Sequence, residues 1–181
     1  HERHVRYRDV RRFARFAHGE DPRHEIPRGD PFPSRWVRPL PYIYSAGEVS
    51  RMISAVATLE ATYPLKRVVV ATIIGLIAAT GLRVGEALRL RLGDVHPAGY
   101  LAVRLTKFRK SRLVPLHSTT VEALDTYLHR RRRVAGLDDH LFVSIKGGQL
   151  PYPTLLMWFH QAQRAADIPE RQGRLPRIHD L

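Results

Sequence analysis

The sequence predicts a mainly α-helical protein with a small antiparallel β-sheet inserted, which is an α+β fold. Two observations support this fold class. Apolar residues recur at helical spacing in several segments, and two strand-like runs, at 100–105 and 112–117, flank a short basic stretch as in a β-hairpin. With 181 residues, the chain is long enough for one domain with a good core, or for one domain and part of another.

The first 41 residues are predicted to form a helix and a linker. Residues 1–18 read as a basic amphipathic helix, whose apolar side chains lie roughly on one side: Val5, Val10, Phe13 and Phe16. Residues 19–41 are rich in Pro and Gly, which indicates an extended linker. We therefore place a domain boundary here and interpret the first helix as the end of a preceding domain.

A group of helices is expected after the linker. The stretch "SAGE" is typical of a capping box, in which Ser45 and Glu48 begin a helix. Residues 65–79 are apolar all round, so this second helix is predicted to lie at the centre of the fold. The dipeptide at 80–81 interrupts it, and a short helix is expected from about 82 to 90.

The second half of the chain is predicted to mix strands and helices. Residues 93–99 have the composition of a turn, and the two strands of the hairpin come next. After the hairpin we expect a helix at 119–134, capped by Ser118. A third strand at 141–145 with a turn at 146–149 should follow, and then a last helix at 154–166.

Charge is the strongest compositional feature. Thirty Lys and Arg residues stand against 17 Asp and Glu residues, which gives a formal net charge of +13. Such an excess favours a polyanionic partner, most often nucleic acid, although a solvated basic face is the simpler alternative. A membrane surface is disfavoured, because no helix combines a basic face with a strongly apolar, aromatic one.

The composition also excludes some classes of site. The chain has no cysteine, so it holds neither a disulfide nor a thiolate metal site. Its longest apolar run, 68–80, is too short to span a bilayer and suits a buried helix. No signal peptide is visible, and because the chain begins at His1 rather than Met, we interpret it as a fragment.

Two features could bind phosphate. The hairpin carries five cations, Lys107 among them, and no acid. We predict that the other four contact DNA: Arg104, Arg109, Lys110 and Arg112. The alternative is a charged edge that protects the sheet from aggregation. The arginine run at 129–133 more simply complements the C-terminal end of a helix.

The second feature is the stretch "ATGLRVGEALRL", where Arg83 and Glu86 lie three residues apart as an apolar helix begins again. Residues at this spacing are neighbours on a helix and can form an ion pair. On a solvated surface such a pair contributes little to stability. Beneath a phosphate, the guanidinium instead donates two hydrogen bonds to its oxygens, and the carboxylate fixes the guanidinium.

The order of these pieces resembles the tyrosine recombinases, the phage-integrase family. An apolar helix is followed by "TGLRVGEALRL", the hairpin "TKFRKSRLVPL", a helix and finally "RIHDL". The resemblance covers about 35–181 as the front of the catalytic domain, which we place at 42–181. Residues 1–34 resemble the last helix of the preceding core-binding domain and its linker.

The resemblance implies roles for individual residues. The first catalytic arginine of the family falls on Arg83, its companion acid on Glu86 and the hairpin lysine on Lys107, with Lys110 as the alternative. His179 matches the His of a His-x-x-Arg motif, whose arginine would come directly after Leu181. None of the seven tyrosines matches the family's nucleophile, so we expect residues 1–181 to bind DNA without cutting it.

The resemblance also implies a function. Members of the family cut and rejoin double-stranded DNA through a 3′-phosphotyrosine intermediate, without metal, ATP or small-molecule cofactor. They act as homotetramers on two DNA sites, and we expect the same assembly for the full-length protein. Because the partner is DNA, we expect the protein in the bacterial cytoplasm, associated with the nucleoid. Alternatives are a type IB topoisomerase, which relaxes supercoils, and a catalytically dead DNA-binding relic of an integrase. An RNA-binding protein is a more distant alternative, since no RNA-recognition signature is visible.

Overall fold

The computed structural model describes residues 2–32, 40–60, 63–104, 111–134 and 138–181. The chain divides into two compact units, His1–Leu40 and Pro41–Leu181, which we name the N-terminal unit and the C-terminal unit. The secondary structure is mostly helical with one three-stranded antiparallel sheet, so the predicted fold class is confirmed. None of the helices in the described ranges is both long and apolar enough to cross a membrane.

The N-terminal unit is built on helix α1, Glu2–Glu20. The segment that follows α1 folds back beside it, because the Tyr7 hydroxyl donates to the carbonyl oxygens of Arg28 and Gly29 at 3.2 and 3.1 Å. The Tyr7 ring also meets Phe32 edge to face, with 6.1 Å between centroids. No residue of α1 is buried, and part of its predicted apolar side is exposed: Val10, Phe13 and Phe16.

Helix α2, Ala46–Ala55, begins where the capping box predicts. The amide of Glu48 donates to Ser45 Oγ at 3.2 Å, and the amide of Ser45 donates to Glu48 Oε2 at 2.8 Å. Two amide groups at the helix N-terminus are therefore satisfied by side chains of this one box. The Tyr42 hydroxyl also donates to the Glu48 carboxylate, which ties the chain before α2 to its first turn.

Helix α3, Lys66–Thr80, forms the centre of the C-terminal unit, as its apolar sequence predicts. Helices α2, α5 and α6 pack against it. The positions of α5 and α6 are Ser118–Val134 and Tyr152–Ala165. Gly81 ends α3 in the left-handed conformation, with φ of +62°, which a side chain at this position would disfavour. The buried α3 side chains are apolar with two exceptions, Lys66 and Thr72, and the Lys66 ammonium donates to the carbonyl oxygen of Glu60.

The short helix α4, Val84–Arg89, follows Gly81 closely. Three single-turn 3₁₀ helices complete the helical elements in the described ranges: Val56–Thr58, Leu92–Asp94 and Ile178–Asp180.

The sheet has the order β1–β2–β3, with strands Val95–His96, Tyr100–Val103 and Arg112–Pro115. All pairs are antiparallel, and the last pair of β2 and β3 joins Val103 to Arg112. The predicted hairpin is therefore confirmed, with strands that are shorter than 100–105 and 112–117. Residues 105–110, at the tip of this hairpin, lie outside the described residues.

The predicted third strand at 141–145 is wrong. Leu141, Phe142 and Val143 are fully buried in succession, so this stretch lacks the alternation of a strand with one solvated face. It makes only an isolated bridge from Val143 to Gln149, around a turn that contains Gly147 at φ of +81°. The third strand is β1, inside the segment 93–99 that the sequence predicts as a turn.

Arg131, in the arginine run of α5, is buried, whereas its neighbours on either side are exposed. Its guanidinium donates to the carbonyl oxygens of Leu141 and His140, at 3.2 and 2.7 Å, and to that of Asp138. Burying a guanidinium is costly unless its donors are paired, and these carbonyl groups supply the partners. Arg131 thus joins the end of α5 to the segment that replaces the predicted third strand.

We expect Ser45→Ala to lower the free energy of unfolding by about 1 kcal/mol, because the amide of Glu48 loses its acceptor. Ser50→Ala, at an exposed position of α2, is the matched control, and we expect it to change stability by less than about 0.5 kcal/mol. Urea unfolding followed by circular dichroism measures both. Equal effects of the two substitutions would contradict the capping role of Ser45.

Candidate active site

Arg83 lies at the junction between α3 and α4. After Gly81 ends α3, Leu82 is buried and Arg83 adopts an extended backbone, with φ of −66° and ψ of 144°, as the N-cap of α4. A cation at a helix N-terminus faces the positive end of the helix dipole, which is unfavourable by itself. An anion close to Arg83 is therefore needed to stabilise this arrangement.

The anion is the carboxylate of Glu86, whose side chain is 3% exposed. The Arg83 amide donates to Glu86 Oε2 at 3.1 Å, and Arg83 Nη1 donates to Oε1 at 3.0 Å. Glu86 thus satisfies a backbone amide at the start of α4 and holds the guanidinium at the same time. The Arg83 side chain remains 66% exposed, so it can also meet a ligand from solvent.

Arg112, the first residue of β3, binds the same carboxylate. Its Nη2 donates to Glu86 Oε2 at 2.8 Å, and its Nη1 donates to Oε1 at 3.3 Å. This bidentate contact joins the C-terminal side of the hairpin tip to the start of α4. The three residues form what we name the Glu86 cluster: Arg83, Glu86 and Arg112.

The electrostatics of the Glu86 cluster favour a second anion. The hydrogen bonds from Arg112 are the main cause that lowers the pKa of Glu86, to about 2, against the opposing effect of burial. The same contact raises the pKa of Arg112. Two guanidinium groups share one carboxylate, so the cluster keeps a net positive charge that suits a phosphate.

Arg104 is held in a similar way on the other side of the hairpin tip. Its Nε donates at 2.8 Å to Asp94 Oδ1, and the Asp94 side chain is 8% exposed. The other oxygen, Asp94 Oδ2, accepts from the amide of Arg91 at 2.9 Å. Both described cations of the predicted DNA-binding set are therefore paired with buried carboxylates. The other two members, Arg109 and Lys110, and the predicted catalytic Lys107 lie outside the described residues.

His179 is exposed on the last 3₁₀ turn, where Ile178 is buried and Asp180 is partly buried. Asp180 Oδ1 accepts from Arg177 Nη2 at 2.7 Å, which fixes this turn. The imidazole stacks on the ring of Tyr152, with 6.1 Å between centroids and 23° between planes. In the described part of the chain, no hydrogen bond or ion pair joins His179 to the Glu86 cluster.

The tyrosine hydroxyls differ in their surroundings. The hydroxyl of Tyr127 donates to the carbonyl oxygen of Leu141 at 2.6 Å, and that of Tyr44 donates to the carbonyl oxygen of Pro176 at 3.3 Å. Burial raises the pKa of both phenols, which makes them weak nucleophiles. Tyr152 is exposed at the start of α6.

One group of side chains in the described ranges has the composition of a metal site: Asp138, Asp139 and His140. Its members already have protein partners. His140 Nδ1 lies 2.7 Å from Asp138 Oδ1, and Arg91 binds the carboxylate of Asp139. These contacts give the three residues a structural role in the segment whose carbonyl groups bind Arg131.

Glu86 should make the stability of the protein depend on pH. Because its folded-state pKa is lowered from 4.5 to about 2, its contribution is present above pH 4.5 and is lost as the pH falls toward 2. We expect Glu86→Gln to be less stable than wild type by about 2 kcal/mol at pH 7, and this difference to shrink below pH 4.5.

Urea unfolding at several pH values measures this difference. Glu122→Gln, at an exposed position of α5, is the control and should change stability by less than about 0.5 kcal/mol. A difference between wild type and Glu86→Gln that stays constant from pH 7 to pH 2 would refute the role of the charged carboxylate.

Known proteins match this chain over most of its length. The phage integrase family matches residues 45–181. Two curated proteins of Sinorhizobium fredii, "Putative integrase/recombinase y4rB" and "Putative integrase/recombinase y4rE", are 36% and 37% identical to it over 180 residues. These alignments cover 95% and 98% of this chain and 57% of each relative, so the chain spans little more than half the length of these relatives.

Solved structures share the fold. The crystal structure of XerA recombinase has a TM-score of 0.63 and 26% identity, over 78% of this chain and 48% of that chain. The crystal structure of a lambda integrase(75–356) dimer bound to a COC′ core site has a TM-score of 0.66 over 96% of this chain and 60% of that chain. Its 20% identity shows the fold alone. The match to the family over residues 45–181 and the two relatives at 36% and 37% identity show that the chain belongs to the phage integrase family.

Proposed function

We propose that the protein is a site-specific DNA recombinase, which cuts and rejoins double-stranded DNA through a 3′-phosphotyrosine intermediate without metal or ATP. One observation carries the proposal: Arg83 and Arg112 meet on the buried carboxylate of Glu86. This contact brings the base of the basic hairpin to Arg83. A phosphate at this place would therefore face a guanidinium and the hairpin that carries Lys107.

In the proposed reaction, a tyrosine hydroxyl gives its proton to a base, its oxygen forms a bond to the scissile phosphorus, and the bond from phosphorus to the 5′-oxygen breaks. The phosphorane transition state carries more negative charge on its equatorial oxygens than the ground state does. Arg83 donates hydrogen bonds to these oxygens, and Glu86 holds its guanidinium in place beforehand. Such preorganised donors are worth most where charge develops, so Arg83 serves the transition state.

The departing 5′-oxygen needs a proton, and we assign this proton to the ammonium group of Lys107. Lys110 is the alternative donor on the same hairpin. The position of Arg112 in the Glu86 cluster supports a hairpin donor, because it fixes the C-terminal base of the tip next to Arg83. General acid catalysis of this kind contributes typically 10²- to 10⁴-fold.

We assign His179 to the same phosphate, where its imidazole donates to an oxygen or assists proton transfer. Its exposure on a fixed turn supports this role. Arg104, Arg109 and Lys110 of the hairpin then contact neighbouring phosphates. The excess of cations, with a net charge of +13, supports a DNA partner.

The proposed assembly is a homotetramer on two DNA sites in the bacterial cytoplasm, associated with the nucleoid. The name of one structural neighbour supports this proposal: a lambda integrase tetramer bound to a Holliday junction, with a TM-score of 0.66. Two further neighbours are XerH recombinase on its difH substrates.

We expect Arg83→Ala in the full-length natural protein to lower the DNA cleavage rate by at least about 10³-fold, because the transition state loses its guanidinium. DNA affinity should change by less than about tenfold, since other cations still contact the backbone. Arg89→Ala, on an exposed residue of the same helix, is the matched control and should cleave DNA like wild type.

The assay follows covalent protein–DNA complex and recombinant product on DNA that carries two sites. Wild-type protein that relaxes supercoils but yields no recombinants would favour the topoisomerase. A wild-type protein that binds DNA without cutting it would favour the inactive relic. Cleavage by Arg83→Ala at a rate near that of wild type would refute the role of Arg83.

We also propose that residues 1–181 by themselves bind DNA and do not cut it. The buried phenols of Tyr44 and Tyr127 support this expectation. Tyr152 is exposed beside His179, so it is the residue to test. We expect binding that weakens steeply between 50 and 200 mM salt, by roughly 10³-fold or more if six or more phosphates are contacted. No covalent adduct should form, and an adduct that Tyr152→Phe abolishes would show that the nucleophile lies in this chain.

A further inference from the structure

We propose that Arg112 is a positioning residue, which couples the basic hairpin to Arg83 through the carboxylate that the two arginines share. The proposal rests on the proposed function, because it concerns the same phosphate site. It gives Arg112 a different task from the direct DNA contact that the sequence predicts.

Each oxygen of Glu86 serves both arginines. Oε1 accepts from Arg83 Nη1 at 3.0 Å and from Arg112 Nη1 at 3.3 Å. Oε2 accepts from the Arg83 amide at 3.1 Å and from Arg112 Nη2 at 2.8 Å. A rotation of the carboxylate that weakens the contact to Arg112 therefore also disturbs the contacts to Arg83.

The carboxylate has few other partners to turn to. Its side chain is 3% exposed, so water cannot readily replace a lost guanidinium. Without Arg112, the buried charge would keep only the amide and one guanidinium nitrogen of Arg83 as described donors. An underpaired buried charge is costly, so the local structure would rearrange around Glu86, and the Arg83 guanidinium would rearrange with it.

Arg112 also fixes the hairpin. It pairs with Val103 across the last rung of β2 and β3, and Val103 is buried. In the sequence, residues 105–110 lie between the two residues of this rung. The bond from Arg112 to Glu86 therefore sets the distance between the base of the tip and the start of α4, which is the distance over which a hairpin lysine must reach a phosphate held by Arg83.

Arg104 provides the comparison. It flanks the tip on the other side and also binds a buried carboxylate, but the described partners of that carboxylate are Arg91 and Arg104, not Arg83. Loss of either arginine removes one positive charge and one contact at the base of the hairpin. Only loss of Arg112 removes a contact to the residue that holds Arg83. Arg104→Gln is therefore a matched control for Arg112→Gln.

The first test measures single-turnover cleavage at saturating DNA in the full-length natural protein. We expect Arg112→Gln to lower the rate constant by on the order of tenfold to a hundredfold, as for a small misplacement of a catalytic group. Its DNA affinity should match that of Arg104→Gln, and its rate constant should be lower than that of Arg104→Gln by on the order of tenfold or more. In a Glu86→Gln background, Arg112→Gln should lower the rate by less than about threefold, because the coupling is already lost.

A direct phosphate contact gives the opposite pattern. Arg112→Gln would then bind DNA more weakly than Arg104→Gln does. The slope of the logarithm of its binding constant against the logarithm of salt concentration would be smaller by about one, and its cleavage rate constant at saturating DNA would be near that of wild type. A fall in the rate constant that is as large in the Glu86→Gln background as in wild type would also contradict the coupling. Either result overturns the proposal. Arg112→Lys keeps the positive charge but cannot donate two parallel hydrogen bonds, so its cleavage rate should lie between those of wild type and Arg112→Gln. It replaces Arg112→Gln in the test if that variant does not fold.

The second test does not depend on activity. Carbon-13 NMR of the Glu86 carboxyl group follows its titration in wild type, Arg112→Lys and Arg104→Gln. We expect the titration midpoint to rise in Arg112→Lys and to stay unchanged in Arg104→Gln. An unchanged midpoint in Arg112→Lys overturns the coupling even if wild type is an active recombinase. If the midpoint rises in Arg112→Lys but the wild-type protein cuts no DNA, the coupling stands and only the proposed function is refuted.

Discussion

The buried carboxylate of Glu86 is the interaction on which the candidate site depends. It accepts from the amide of Arg83 and from the guanidinium groups of Arg83 and Arg112. Desolvation of this charge raises the pKa of Glu86, but the hydrogen bonds from these donors lower it more. The net result is a pKa of about 2. One anion thereby makes it possible to place two cations side by side at the positive end of a helix, where they would otherwise repel each other.

The arrangement has a direct chemical consequence. Cations that must meet a phosphate are most effective when they are already oriented before the ligand arrives, because no reorganisation is then needed in the transition state. Arg83 is oriented by α4 and by Glu86, and the base of the hairpin is oriented by Arg112 and Arg104. Both contacts lie in the described residues on either side of 105–110.

Much of the helical framework could be predicted from local sequence. The box of Ser45 and Glu48 fixes the start of α2, and Gly81 supplies the left-handed residue that ends α3. The sheet was predicted only in part, since periodicity does not distinguish a buried irregular segment such as 141–145 from a strand. Strand β1 has two residues, too few for any pattern to indicate it. The burial of Arg131 depends on carbonyl groups 7 to 10 residues later in the sequence, which no local pattern shows.

The candidate site shows the same limit. The spacing of Arg83 and Glu86 predicts their ion pair, because both partners lie on one helical turn. The partner of Arg112 lies 26 residues earlier, so the pair depends on the register of the sheet and on the position of α4. The pairing of Arg104 with Asp94 depends on the same sheet. The stacking of Tyr152 on His179 likewise joins segments that the sequence separates by a whole helix.

We propose that Arg83 and Lys107 act on one phosphorus atom in different ways. Cleavage of DNA whose scissile 5′-oxygen is replaced by sulfur tests it most directly, because a thiolate leaves without needing a proton. In the full-length natural protein, we expect this substrate to restore cleavage to Lys107→Ala but not to Arg83→Ala. Restored cleavage by Arg83→Ala would contradict these roles. So would a failure of this substrate to restore cleavage to either Lys107→Ala or Lys110→Ala.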